Sequence, residues 1–251
     1  MHGVKIPISL VSLGLTGPLA AIRCRIRAVN GASSISLDRS LDPVVELYKR
    51  SIDRTVIREN LRKSHEERLL TLARTIAFVQ RLHSPGSRPA TTQFKALITT
   101  LLENDVSFVI AGGVAATLHG AARVTYDLDI VYDRSFENLQ RIVAAIAPLR
   151  PYLRGAPPGL PFQLDEETLS RGLNFALVTT QGGLDLLGEL AGVGPLAVVR
   201  THAIEADMSG VRYPFLDVEA LIAAKRAAGR PKDLEAIAEL ETICEERESA
   251  L

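Results

Sequence analysis

The stretch from Phe108 to Tyr132, FVIAGGVAATLHGAARVTYDLDIVY, constrains the fold more than any other, because it ties a glycine pair to a carboxylate pair through one short apolar segment. Val106, Phe108 and Ile110 alternate with their neighbours and run into Gly112-Gly113, after which Val114, Ala115, Ala116 and Leu118 have helix-tolerant composition. The pattern predicts strand, glycine turn, helix. Two glycines let a backbone approach a ligand closely, and the helix start behind them offers free N–H groups at the positive end of its dipole, which suits a phosphate. Most glycine pairs are plain turns, so this one alone identifies nothing.

The far end of the stretch is more informative. Leu128, Ile130 and Val131 mark a second strand, and side chains alternate across a strand, so Asp127 and Asp129 point to one face. Two adjacent carboxylates repel each other and are costly near a sheet core unless positive charge lies between them. Mg²⁺, or Mn²⁺, held by a few carboxylates and substrate phosphate oxygens, meets that need. The alternative is an edge strand whose acids face water, which fits poorly with the apolar Ile130-Val131 that follows.

A glycine pair ending a strand, a short helix and Asp-x-Asp on the next strand, with thirteen residues between Gly113 and Asp127, resemble the DNA polymerase β-like nucleotidyltransferase superfamily. AGGVAATLHGAARVTYDLDIV is most similar to its minimal, toxin-type branch, that of abortive-infection toxin–antitoxin pairs. The resemblance implies an α/β (α+β) fold, a small mixed sheet flanked by helices. It also implies metal-dependent transfer of a nucleoside monophosphate from a nucleoside triphosphate to an acceptor hydroxyl on RNA such as tRNA, on a protein or on a small molecule, with an antitoxin as partner.

In that superfamily a third carboxylate comes from the strand beside Asp-x-Asp. Residues 174–180 and 184–187 read as a hairpin turning at Gln181-Gly182-Gly183, and Asp185 on its second strand matches that place, with Glu189 as the fallback if the register slips. Asp127, Asp129 and Asp185 are therefore the expected metal ligands. Gly112, Gly113, Arg123 and Thr125 are the expected nucleotide contacts, although Arg123 and Thr125 also suit a plain loop. Further on, KRAAGRPKDLEAI resembles the stretch of the toxin-type enzymes in which a lysine and a later aspartate are implicated, matching Lys225 and Asp233. For Lys225 the alternative is an ordinary helix surface.

The rest of the chain sets the frame. Its 251 residues, 47% hydrophobic and 23% charged, suffice for a sizeable core in one domain or two small ones. Lys plus Arg and Asp plus Glu each number 29, so no global field draws the chain to nucleic acid. Cys24 and Cys244 have no metal-ligand spacing. Residues 6–22 are apolar but interrupted by Gly14, Gly17 and Pro18, and fall short of the ~20 apolar residues of a membrane span. His2, Lys5 and Ala20-Ala21 leave a signal peptide as a second reading, whereas a triphosphate substrate implies the cytoplasm.

Residues 1–42 are expected to be a poorly ordered extension, 43–83 a helical segment and 91–251 the nucleotidyltransferase domain, divided by the linker HSPGSRPA. Ser64 and Glu67 have the spacing of a capping box. Arg54, Arg58 and Arg62 fall on one helix face, suited to RNA phosphates or to solvent. Thr91 or Thr92 is expected to cap the next helix, and His119 to cap the carbonyls ending the helix after Gly113. PYLRGAPPGLP reads as a loop, residues 202–208 and 211–215 as a strand pair, and a helix capped by Asp217 breaks at Gly229-Arg230-Pro231, with Lys225, Arg226, Arg230 and Lys232 within reach of phosphates. Two functions compete: an enzyme, and a catalytically silent domain that binds nucleotide or a partner.

Overall fold

A computed structural model describes residues 42–83, 92–157 and 159–250. The expected N-terminal extension before Asp42, the linker beyond His83, Cys24 and Thr91 lie outside the described residues. Helices α1 (Asp42–Lys49), α2 (Arg54–Arg62) and α3 (His65–His83) come first. The capping box forms: the Glu67 N–H donates to Ser64 Oγ at 3.2 Å, and the Ser64 N–H donates to the Glu67 carboxylate at 2.7 Å.

Helix α4 (Phe94–Glu103) buries Phe94, Leu97, Ile98 and Leu101 and leads into strand β1 (Phe108–Ala111). Helix α5 (Gly112–His119) starts directly from it, followed by β2 (Asp127–Tyr132), α6 (Phe136–Ile146), the two-residue β3 (Tyr152–Leu153) and α7 (Glu166–Arg171). The predicted hairpin is β4 (Asn174–Thr179) with β5 (Gly182–Leu187). A small ribbon of β6 (Glu189–Leu190) and β7 (Gly194–Pro195), then α8 (Leu196–Val199), precede the second hairpin of β8 (Ala203–Met208) and β9 (Val211–Leu216). Helices α9 (Val218–Ala228) and α10 (Pro231–Ser249) close the chain.

The expected small mixed sheet flanked by helices is what forms. Seven strands lie in the order β3-β4-β5-β2-β1-β9-β8, with parallel pairs at β2–β5 and β1–β9 and antiparallel pairs elsewhere. Strand β1 does not alternate as its sequence suggested: all four residues are buried, because it lies near the middle of the sheet with both faces covered. Val45, Ile57, Leu72 and Ile76 of the N-terminal helices join the same apolar core as Ile110, Ile130 and Phe215 of the sheet.

Four local expectations are corrected. Thr92 caps nothing; its hydroxyl donates to the Tyr126 carbonyl at 2.5 Å, beside the start of β2. PYLRGAPPGLP is not loop throughout, since Tyr152 and Leu153 pair with Val178 and Leu177 of β4. Arg54 and Arg58 are not offered to RNA or solvent alone: Arg54 pairs with Glu245 at 2.6 Å and Glu246 at 3.0 Å, and Arg58 with Glu246 at 2.5 Å, tying α2 to α10. Arg226 is held by Asp42 at 2.6 Å and Glu241 at 2.9 Å, which binds α9 to the chain's first described helix rather than to a phosphate site.

Candidate functional site

The parallel pairing of β2 with β5 sets Asp129 opposite Asp185 and Asp127 opposite Gly183. Directly opposed residues share a face, so Asp127, Asp129 and Asp185 project together while Leu128, Ile130, Leu184 and Leu186 are buried on the other side. Because β2 is flanked by both β5 and β1, the edge-strand alternative is removed.

Each member of the glycine pair serves these acids. Gly112 has φ +59°, and a Cβ there would be driven into the Asp129 carboxylate. At Gly113 a Cβ would come within 2.5 Å of Thr125 Cβ and Oγ1. Thr125 Oγ1 donates to Asp127 Oδ1 at 3.0 Å, and the Gly113 N–H bonds the Asp129 carboxylate from the start of α5. The pair is thus more than a turn. It makes room for one acid and for the residue that orients the other.

The electrostatics match the crowding. Burial foremost, then repulsion from Asp127 and Asp185, pushes the Asp129 carboxyl up to about 7, with the Gly113 N–H and Lys225 pulling the other way. Burial likewise raises Asp185 to about 6, against the pull of Arg154 and with added repulsion from Asp127.

Arg154 is the residue that sequence reading missed. Its Nη1 donates to Asp127 Oδ2 at 2.7 Å and its Nη2 to Asp185 Oδ1, so one guanidinium forks between two acids. The Arg154 N–H donates to the Ala176 carbonyl at 2.8 Å, Ala176 pairs with Asp185, Asp185 with Asp129 and Asp129 with Ala111. The arginine therefore stands at the end of the row that carries the acids. Only the arrangement of the sheet brings it there, from a Pro/Gly-rich stretch 27 and 31 residues from its partners.

Lys225 and Asp233 are brought together by the helix break. Gly229, at φ +62°, ends α9 and Pro231 opens α10, an arrangement that suits each residue. Lys225 Nζ lies 3.7 Å from Asp233 Oδ1, while Arg230 forks onto the same carboxylate at 2.7 and 3.3 Å. Lys225 is no ordinary surface lysine: its side chain is only 14% exposed, and burial lowers its pKa against the opposing pull of Asp233 and Asp129. Arg123 is engaged differently, in an ion pair with Glu235, and lines a cleft of about 440 Å³ with Tyr48, Val56 and Glu239. Glu189 is exposed on the small ribbon, paired with Pro195.

His119 does not cap its own helix. Buried beside Phe215 at a ring distance of 5.1 Å, it sets Nε2 2.9 Å from the Leu216 carbonyl and Nδ1 3.2 Å from Arg247 Nη2. An Nε2–H donor and an Nδ1 acceptor satisfy both contacts with a neutral ring, and burial drives its pKa down to about 3.

Hard carboxylate oxygens with surplus negative charge suit Mg²⁺ or Mn²⁺ in kind. With Arg154 between Asp127 and Asp185, no trio of His, Cys, Asp or Glu side chains among the described residues is placed to hold an ion.

No family model and no curated protein matches the chain. A solved structure from Thermotoga maritima, described as a "putative nucleotidyltransferase", aligns at 16% identity and a TM-score of 0.40 over 57% of this chain and 87% of that one. Likeness at this level assigns neither activity nor substrate.

Proposed function

We propose that the chain is a metal-dependent nucleotidyltransferase of the DNA polymerase β-like superfamily, which moves a nucleoside monophosphate from a nucleoside triphosphate to an acceptor hydroxyl. The observation that carries this reading is the set of three carboxylates on one face of adjacent strands, placed against the glycine-hinged start of α5. The sequence resemblance favours the toxin-type branch, with RNA such as tRNA, a protein or a small molecule as acceptor and an antitoxin as partner. A triphosphate substrate fits a cytoplasmic protein, and no described helix is long and apolar enough to cross a membrane.

In this reading Asp127 and Asp129 hold Mg²⁺ or Mn²⁺ with the triphosphate, and Asp185 faces the acceptor. The bound cation supplies charge neutralisation for the phosphates and polarises their oxygens. Thr125 fixes the Asp127 carboxylate, and Gly112 keeps the space that Asp129 needs. Asp185, its carboxyl pKa raised to about 6, is suited to accept the hydroxyl proton as the oxygen attacks the α-phosphorus in line and the bond to the bridging oxygen breaks, releasing pyrophosphate. Lys225, oriented by Asp233, adds positive charge beside Asp129. Such catalysis is largely positioning and electrostatics.

Calorimetry of the four nucleoside triphosphates with and without Mg²⁺ tests the reading. Magnesium-dependent binding that disappears in Asp127→Asn is expected; binding indifferent to magnesium and to that change contradicts it. One observation favours the second reading, a silent nucleotide- or partner-binding domain: Arg154 already neutralises two of the acids. That reading expects nucleotide or partner binding with no product under any divalent cation.

A further inference from the structure

Arg154 is joined to the two acids by a planar fork whose charge cannot be relieved by deprotonation, so anything else that binds the same oxygens must displace it bodily. The oxygens it holds, Asp127 Oδ2 and Asp185 Oδ1, belong to two of the three acids that the superfamily resemblance makes metal ligands.

Its surroundings permit displacement. The residue follows the two-residue edge strand β3, its side chain is 37% exposed, and a Cβ built on the adjoining Gly155 meets nothing within 4 Å. Between Arg154 and Asp185 in the row stands Ala176, exposed and too small to wall the guanidinium in. By contrast, Lys225 is enclosed and fixed by Asp233.

We propose that Arg154 is an internal counter-ion that competes with divalent cations for Asp127 and Asp185, and moves to the phosphates of the incoming triphosphate when the site is loaded. This rests on the nucleotidyltransferase reading and deepens it. The polyphosphate offers the guanidinium a second set of oxygens of the kind it binds through paired N–H donors. Cation and nucleotide then load cooperatively, because each removes the obstacle to the other.

The test is a calorimetric titration of Mn²⁺ without nucleotide into the wild type, Arg154→Met, Arg154→Lys and Asp127→Asn, followed by MnATP and MnGTP titrations. Arg154→Met is expected to bind Mn²⁺ roughly ten- to a hundredfold more tightly than the wild type, and the metal nucleotide more weakly. Arg154→Lys, which keeps a charge but cannot bridge both acids, should fall between, and it serves if Arg154→Met fails to fold. Asp127→Asn should bind little Mn²⁺. Equal or weaker Mn²⁺ binding by the Arg154 variants, with wild-type metal-nucleotide binding intact, overturns the competition and leaves the nucleotidyltransferase reading standing. If no protein binds Mn²⁺ or its nucleotide complexes, both fall together.

Discussion

The two ends of helix α5 have the polarity of charge that a helix dipole favours, acids at the start and bases at the finish, yet they are completed in opposite ways. At the finish, Arg68 donates to the Leu118 carbonyl, Arg247 to the His119 carbonyl at 2.9 Å and Asn60 to the Gly120 carbonyl at 3.2 Å. Each of those acceptors is met by a side chain of another helix. At the start, Asp127, Asp129 and Asp185 crowd together with Arg154, and with Lys225, Arg230 and Lys232 near enough to act on them. The buried ends of a helix must be satisfied somehow. At the finish the chain itself supplies the partners; at the start burial and repulsion among the acids push Asp129 up to about 7, and in the proposed reading a ligand relieves them.

The contrast can be broken first at the architectural end. Arg68 is buried and also donates to the carbonyls of Asn60 and Leu61, at 2.8 and 3.1 Å, so Arg68→Ala leaves several buried acceptors unmet. It should cost about 3–5 kcal/mol in chemical denaturation. A loss under about 1 kcal/mol would mean that this end is not needed for the fold.

Gly112→Ala comes next. A positive φ and a collision with the Asp129 carboxylate together should cost about 2–3 kcal/mol, with nucleotide binding lost as the acid is displaced. A variant that melts and binds like the wild type would show that the chain relaxes easily at the functional end.

A pH series separates the two ends by sign. His119 stays neutral when folded, down to about pH 3, whereas its unfolded value is near 6.5. The unfolded state therefore takes up the proton first, and stability present above pH 6.5 is lost as the pH falls, by at most about 1.4 kcal/mol per pH unit. His119→Gln should flatten that acid limb of the denaturation profile.

Asp129 behaves in the opposite sense. Its folded value is about 7 and its ordinary value near 4, so the folded state keeps the proton longer, and stability falls as the pH rises from about 4 to about 7. Asp129→Asn should therefore melt slightly above the wild type at pH 8, with the gap closing toward pH 4. Thermal melts without divalent cation would reveal it, and an unchanged gap across that range would remove the crowding argument.

The sequence exposed the functional end better than the architectural one. The glycine pair, Asp127-x-Asp129, both hairpins and the break at Gly229-Arg230-Pro231 are local signals, each written within a few neighbouring residues. Asp185 stands out only through the superfamily resemblance, since one acid in LDLL says little by itself; the parallel register with β2 then sets it opposite Asp129. Arg154 was not legible, since a two-residue edge strand has no periodicity to detect and its partners are set by strand order. The role of His119 is hidden in the sequence for the same reason: its partners, Leu216 and Arg247, come from far along the chain. Arg54, Arg58 and Arg226 read in the sequence as open to phosphate or to solvent, because charge is visible there while the carboxylates that pair with it from α10 are not.

The most direct test is transfer itself. The protein is incubated with Mg²⁺, cell extract and each nucleoside triphosphate labelled either at the α- or at the γ-phosphate, alongside a variant carrying Asp127→Asn and Asp129→Asn. Label from the α-position, and none from the γ-position, should enter an acceptor with one or more of the triphosphates, and the double variant should transfer nothing above background. Absence of α-label from every fraction with all four triphosphates, or equal labelling by the double variant, would contradict the assignment of nucleotidyl transfer to these carboxylates.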